Sequence, residues 1–167
     1  MIRPAGSWLA ILVVAAACAG GGSGGGKGGG GGPKGCVCDP PDCPTVSFNS
    51  NVQPIFNRSC ATSSVCHGPN GAESLVLVAG SSISNTVGVR ANQLSNGQRL
   101  LRIKPGAPED SYLFLKMTED PPRISGTRMP QGCPGTPIGG AVCTTDDENN
   151  AIAQWITECA TDTPSLP

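Results

Sequence analysis

Residues 20–35 read GGGSGGGKGGGGGPKG, and no hydrophobic core can be built from that run. It offers no apolar side chain to bury, and glycine loses more backbone freedom on ordering than any other residue. By random-coil scaling of about 5 to 6 Å times the square root of residue number, the run is a flexible tether with a reach of roughly 20 to 25 Å. Whatever folds must lie beyond it, chiefly in residues 46–160, a length that suits one small domain.

Residues 1–17 carry one basic residue, Arg3, and then the apolar stretch WLAILVVAAA. That core is too short for a permanent membrane helix and reads as a secretory signal. Ala15, Ala16 and Ala17 stand directly before Cys18, which resembles a bacterial lipoprotein processing site. Cys18 is then the lipidated residue that begins the tether of residues 18–35. Ala19 offers no aspartate-type retention signal, so the expected anchorage is the outer membrane, facing the periplasm or the cell surface.

Nine cysteines suit an oxidising compartment. Cys36, Cys38 and Cys43 crowd a proline-rich segment, residues 36–45, and are read as disulfide cysteines because no fourth metal ligand lies nearby. Cys133 and Cys143 bracket a ten-residue step rich in glycine and proline and are the preferred pair for a loop-closing disulfide. Sequence leaves open whether Cys159 joins the N-terminal cluster. The net charge of -1, with no basic stripe, excludes nucleic acid as an expected partner. There is no GxSxG, HExxH or P-loop, and no enzymatic reading follows.

Hydrophobic spacing predicts a mainly α domain of about three to five helices with long loops. Phe48, Val52, Ile55 and Phe56 recur at helical intervals, with Ser50 or Asn51 as cap and Pro54 near the first turn. A short helix is expected within residues 81–89. Pro108, Glu109 and Asp110 open another through Met117, with Leu113 and Met117 on one face. Thr145-Asp-Asp-Glu148 is a capping box, followed by Ile152, Trp155, Ile156 and Cys159 at i, i+3, i+4 and i+7. This last helix needs an apolar partner, and the first helix is the natural one. Residues 161–167 read as a disordered tail.

The first helix runs into Cys60-Ala-Thr-Ser-Ser-Val-Cys66-His67-Gly68. Two cysteines with a histidine directly after the second form the histidine half of a c-type haem attachment site, although five residues separate the cysteines where two are usual. Together with Val52-Gln-Pro-Ile-Phe56, Lys104-Pro-Gly106, Ser111-Tyr-Leu113 with Lys116, Arg128-Met129-Pro130 and Trp155-Ile156, it resembles the class I c-type cytochrome-like domains of secreted bacterial lipoproteins. The resemblance covers residues 46–160. It implies a small cytochrome c-like helical domain holding haem c, with Cys60 and Cys66 making thioethers, His67 as proximal and Met129 as distal iron ligand. It also implies one-electron transfer with a redox partner protein, by a monomer tethered to the membrane through its lipid. Arg99, Arg102, Lys104 and Arg128 are available to pair with haem propionates.

Two other readings stay open. Cys60 and Cys66 could form a disulfide, leaving a haem-free, stapled surface lipoprotein that acts as a binding or structural module. Copper held by His67, Met129 and a free thiol also fits soft-ligand preferences. If haem is attached, the three extra residues between the cysteines must bulge outward.

Overall fold

The computed structural model describes residues 45–162. The expectations for the secretory signal, Cys18, the tether and the cysteines at 36, 38 and 43 fall outside that span, as does most of the tail. Four α-helices are described: α1 (Gln53–Ser59), α2 (Ser82–Thr86), α3 (Tyr112–Thr118) and α4 (Asp146–Thr157). Loops and single turns join them, and isolated β-bridges, not strands, link the extended segments among the described residues. No described helix is long and apolar enough to cross a membrane.

The chain enters through a π-helical turn, Phe48–Val52, before α1. Pro54 has no amide to continue an α-helical ladder and its ring crowds the preceding carbonyls, and the wider turn accommodates both effects. The expected cap is corrected here: Ser47 caps the segment, its Oγ accepting from the Ser50 N–H at 3.3 Å. Asn51 Oδ1 reciprocates by accepting the Ser47 N–H at 3.0 Å. The four apolar positions predicted to share a face are all buried.

Helix α4 begins as its sequence requires. Thr145 Oγ1 accepts from the Glu148 N–H at 3.3 Å, and Glu148 accepts from the Thr145 N–H at 2.9 Å. Ile152, Trp155 and Ile156 are buried, and the Phe48 ring centroid lies 4.9 Å from that of Trp155. The partner face of α4 is thus supplied first by the turn that precedes α1, and Phe56 extends the aromatic cluster at 6.1 Å from Phe48. Glu158, just past α4, ties down the start of the domain by accepting from Thr45 and Val46.

The expected continuous helix from Pro108 to Met117 is divided. A 3-10 turn, Pro108–Asp110, precedes α3, and the fully buried Ser111 between them is extended. The Ser111 hydroxyl accepts the Lys104 N–H at 2.9 Å and donates to the Ala107 carbonyl at 2.8 Å. The helical ladder is interrupted at the next two residues, where the Tyr112 and Leu113 N–H groups donate to the Leu101 and Arg102 carbonyls at 2.9 Å each. Leu113 and Met117 face the main core, while Tyr112 and Leu115 pack with Ala91 and Ile124 in a second cluster. The Cys133–Cys143 disulfide is present, and Cys159 is disulfide-bonded as well.

Candidate functional site

The residues singled out from sequence sit on three separate stretches: the end of α1 and the loop after it, the loop after α3, and the disulfide-closed loop 133–143. Cys60, Cys66, His67 and Met129 all line one cavity of about 480 Å³, within the range of about 300–1,000 Å³ typical of small-molecule and cofactor pockets. Its walls are largely apolar, with Leu75, Leu77, Leu113 and Met117 among them. Met117, on the buried face of α3, adds to this wall a residue that helical spacing alone does not mark as part of a site.

The loop from Cys60 to His67 closes on itself. The Cys60 N–H completes α1 at Phe56, and the His67 N–H donates to the Cys60 carbonyl at 3.0 Å. The residues between them protrude, and Val65 at the tip is 80 % exposed. Beyond His67 the loop is anchored by Ala72 N–H to Cys66 carbonyl at 2.7 Å and Leu77 N–H to His67 carbonyl at 2.8 Å. Two glycines make this path feasible. A Cβ on Gly68 would lie 2.6 Å from the Ser63 carbonyl oxygen, and one on Gly71 would lie 1.9 Å from that of Leu75.

Both Cys60 and Cys66 are free thiols, whereas Cys133, Cys143 and Cys159 are oxidised. Burial pushes the Cys60 thiol up to about 12, with Cys66 adding to the effect and Arg58 opposing it. Near neutral pH that sulfur keeps its proton. No cluster of three or more His, Cys, Asp or Glu side chains suited to a metal ion occurs among the described residues.

His67 is half-buried, and burial lowers its proton affinity, helped by the positive charge of Arg102. The Leu75 and Ala72 carbonyls and Glu73 oppose that fall. Neutral imidazole holds one ring proton, and Nδ1 lies 3.2 Å from the Leu75 carbonyl oxygen. With the proton on Nδ1, the lone pair belongs to Nε2, which is the tautomer a histidine ligand uses when its other nitrogen is held by the backbone.

Met129 is held by its loop rather than by a helix. Its N–H donates to the Lys116 carbonyl at 2.6 Å. Lys116 Nζ then reaches the Ser125 and Thr127 carbonyls at 2.8 and 2.6 Å, and Arg128 donates to the Thr118 carbonyl at 2.8 Å and meets Asp120 at 3.2 Å. Lys116 and Arg128 therefore strap this loop to α3. The acceptors of Lys116 are backbone groups, which residue type does not reveal, so this role is not legible in the sequence.

The basic residues considered as carboxylate partners divide sharply. Arg99 is exposed, Lys104 pairs with Asp110, and Arg128 is committed to its loop. Arg102 alone of the four lines the cavity; the residue is 7 % exposed, and its guanidinium donates to the Ser74, Asn85 and Glu73 carbonyls. Tyr112, also on the wall, donates to Gln93 at 3.1 Å and accepts from the Ser125 N–H at 3.2 Å. The site can thus present two reduced thiols, an imidazole lone pair and a thioether sulfur to one largely apolar space, with buried positive charge at its wall. Compared with protein-family models, with curated proteins and with solved structures, the chain matches none of them.

Proposed function

We propose that this chain is a c-type cytochrome-like electron carrier, held to a membrane by a lipid on Cys18 and exchanging single electrons with a redox partner protein. The observation that carries this reading is the convergence of Cys60, Cys66, His67 and Met129 on one cavity with both thiols reduced. In a domain whose other described cysteines are oxidised, a reduced pair facing an apolar space is suited to covalent attachment.

The residues present fit haem c. The cavity is largely apolar, as a porphyrin face requires, and the buried Arg102 supplies positive charge for an anionic edge. Cys60 and Cys66 would hold the group, and His67 through Nε2 and Met129 through its sulfur would ligate the iron. Haem supplies a one-electron iron couple, and a His/Met ligand pair raises its potential. The Leu75 carbonyl keeps the His67 proton on Nδ1, so the ligand nitrogen needs no deprotonation. Lys116 and Arg128 keep Met129 in place through a change of charge nearby, and the apolar wall excludes water.

The test is an absorption spectrum, oxidised and reduced, of protein exported to a periplasm that contains cytochrome c maturation machinery, with mass analysis under denaturing conditions. Sharp reduced bands and a mass raised by one haem support the proposal. Colourless protein with only disulfide oxidation overturns it and leaves the stapled binding module, whose ligand would then be sought in the same cavity.

A further inference from the structure

The loop closed by Cys133 and Cys143 lies against the attachment loop and brings Gly139 onto the Cys66 sulfur. The Val142 N–H donates to the Arg58 carbonyl at 3.1 Å, at the end of α1. Thr62 Oγ1 donates to the Gly139 carbonyl at 2.8 Å and stands 3.6 Å from Cys66 Sγ. Gly139 itself abuts that sulfur, because a Cβ built there would be 2.9 Å from Cys66 Sγ. Its φ of +69° is also one that a side chain disfavours. The same loop reaches back toward Met129, through the Ile138 N–H donating to the Gln131 carbonyl at 3.0 Å.

Resting on the proposed function, we infer that the disulfide-closed loop 133–143 is a positioning clamp for Cys66, with Thr62 and Gly139 as the contacts that direct its Sγ for haem attachment. The five-residue spacing creates the need. A cysteine at the far end of a protruding loop has more freedom than one on a short turn, and a misdirected thiol cannot meet its vinyl group. Attachment adds the S–H bond across a vinyl double bond, forming one C–S and one C–H bond with no net oxidation. The sulfur must therefore be reduced and correctly aimed. Cys60 sits at the end of α1 and is aimed by the helix, whereas Cys66 has only the loop and the clamp. The role of the Cys133–Cys143 disulfide in this scheme is to keep the clamp closed on a thiol that itself stays reduced.

The experiment uses the full chain with Thr62→Val, Gly139→Ala and the double substitution Cys133→Ser with Cys143→Ser, each checked for folding by circular dichroism and thermal unfolding. In haem-free protein, the rate of Cys66 alkylation by iodoacetamide is read by peptide mass. The expected result is a change of at least threefold at Cys66 in the Thr62 and double variants, with buried Cys60 unchanged. In protein matured with haem, alkylation after denaturation counts thiols left unattached. The wild type should retain none of this pair and the variants one, with a longer-wavelength reduced pyridine haemochrome band from the surviving vinyl group. Unchanged Cys66 alkylation, or variants that attach haem through both sulfurs as fully as wild type, overturns the clamp while leaving the electron carrier intact. A wild type that takes no haem overturns the proposed function and the attachment role with it.

Discussion

Lys116→Met isolates the strap that holds Met129. Methionine keeps most of the length of the lysine stem but removes the donors that reach the Ser125 and Thr127 carbonyls at 2.8 and 2.6 Å. A hydrogen bond from a charged group contributes about 1.5–3 kcal/mol in a protected setting. Water competes at this partly exposed site, and about 1 kcal/mol for each bond is the appropriate scale. The loop then loses about 2 kcal/mol of restraint, equivalent to about a 30-fold change in an equilibrium constant. The backbone bond from Met129 to the Lys116 carbonyl and the Arg128 contacts remain, so the loop loosens without leaving. In haem-loaded protein, imidazole should displace Met129 up to about 30-fold more readily than in the wild type, as measured by spectral titration. In haem-free protein, the Met129 amide should exchange its hydrogen faster. Equal imidazole affinity together with equal amide exchange would refute the strap, and faster exchange in a protein that never takes haem would preserve the strap while removing its proposed purpose.

Three further outcomes concern the scaffold. Gly71→Ala forces a Cβ to within 1.9 Å of the Leu75 carbonyl oxygen, and a loss of about 2 kcal/mol or more should appear in urea unfolding; an unchanged midpoint would show that the loop relaxes freely. Trp155→Ala empties the centre of the core beside Phe48 and should cost about 3–5 kcal/mol by the same assay. Glu158 supplies the pH dependence. Burial raises its carboxyl, but hydrogen bonds from Thr45, Val46 and Gln154 outweigh that and hold it below the ordinary 4.5. The unfolded chain therefore takes up the proton first, so the stabilisation is complete above about pH 4.5 and is lost as pH falls below it toward the folded value. Glu158→Gln should flatten that part of the stability curve, and an identical acid slope in the variant would contradict the assignment.

The helices were legible to the extent that one side chain pattern determined them. Helix α4 could be placed from Thr145 and Glu148 at one end and Ile152, Trp155 and Ile156 along one face, because the cap and the apolar stripe are both written in residue type. The entry to α1 was less legible, since the cap at Ser47 depends on a wide turn that no periodicity encodes. Ser111 broke an expected helix for a related reason. Its hydroxyl found partners in the Lys104 and Ala107 backbone, and the Tyr112 and Leu113 amides after it found the Leu101 and Arg102 carbonyls, none of which local propensity can anticipate. The residues converging on the cavity were named from their chemistry, but their supports were not. Lys116, Arg102 and Thr62 act on backbone carbonyls, and any stretch of chain offers carbonyls.

The spacing between Cys60 and Cys66 shows why separation in sequence is a poor guide to separation at a site. Lengthening a loop from two to five residues adds only about 0.8 kcal/mol of closure entropy, less than one good hydrogen bond can offset. The His67 N–H to Cys60 carbonyl bond closes the base of this loop at 3.0 Å, so the additional residues lengthen the protrusion and not the base. What the longer loop does demand is local. Gly68 must pass close to the Ser63 carbonyl, Gly71 must pass close to that of Leu75, and the Cys66 sulfur is met by Thr62 within the loop and by Gly139 from outside it. A chain with this spacing but with bulky residues at positions 68, 71 and 139 should therefore fail to present both sulfurs to one cavity. Grafting the whole of residues 60–71 together with the disulfide-closed loop should succeed where grafting residues 60–67 alone does not.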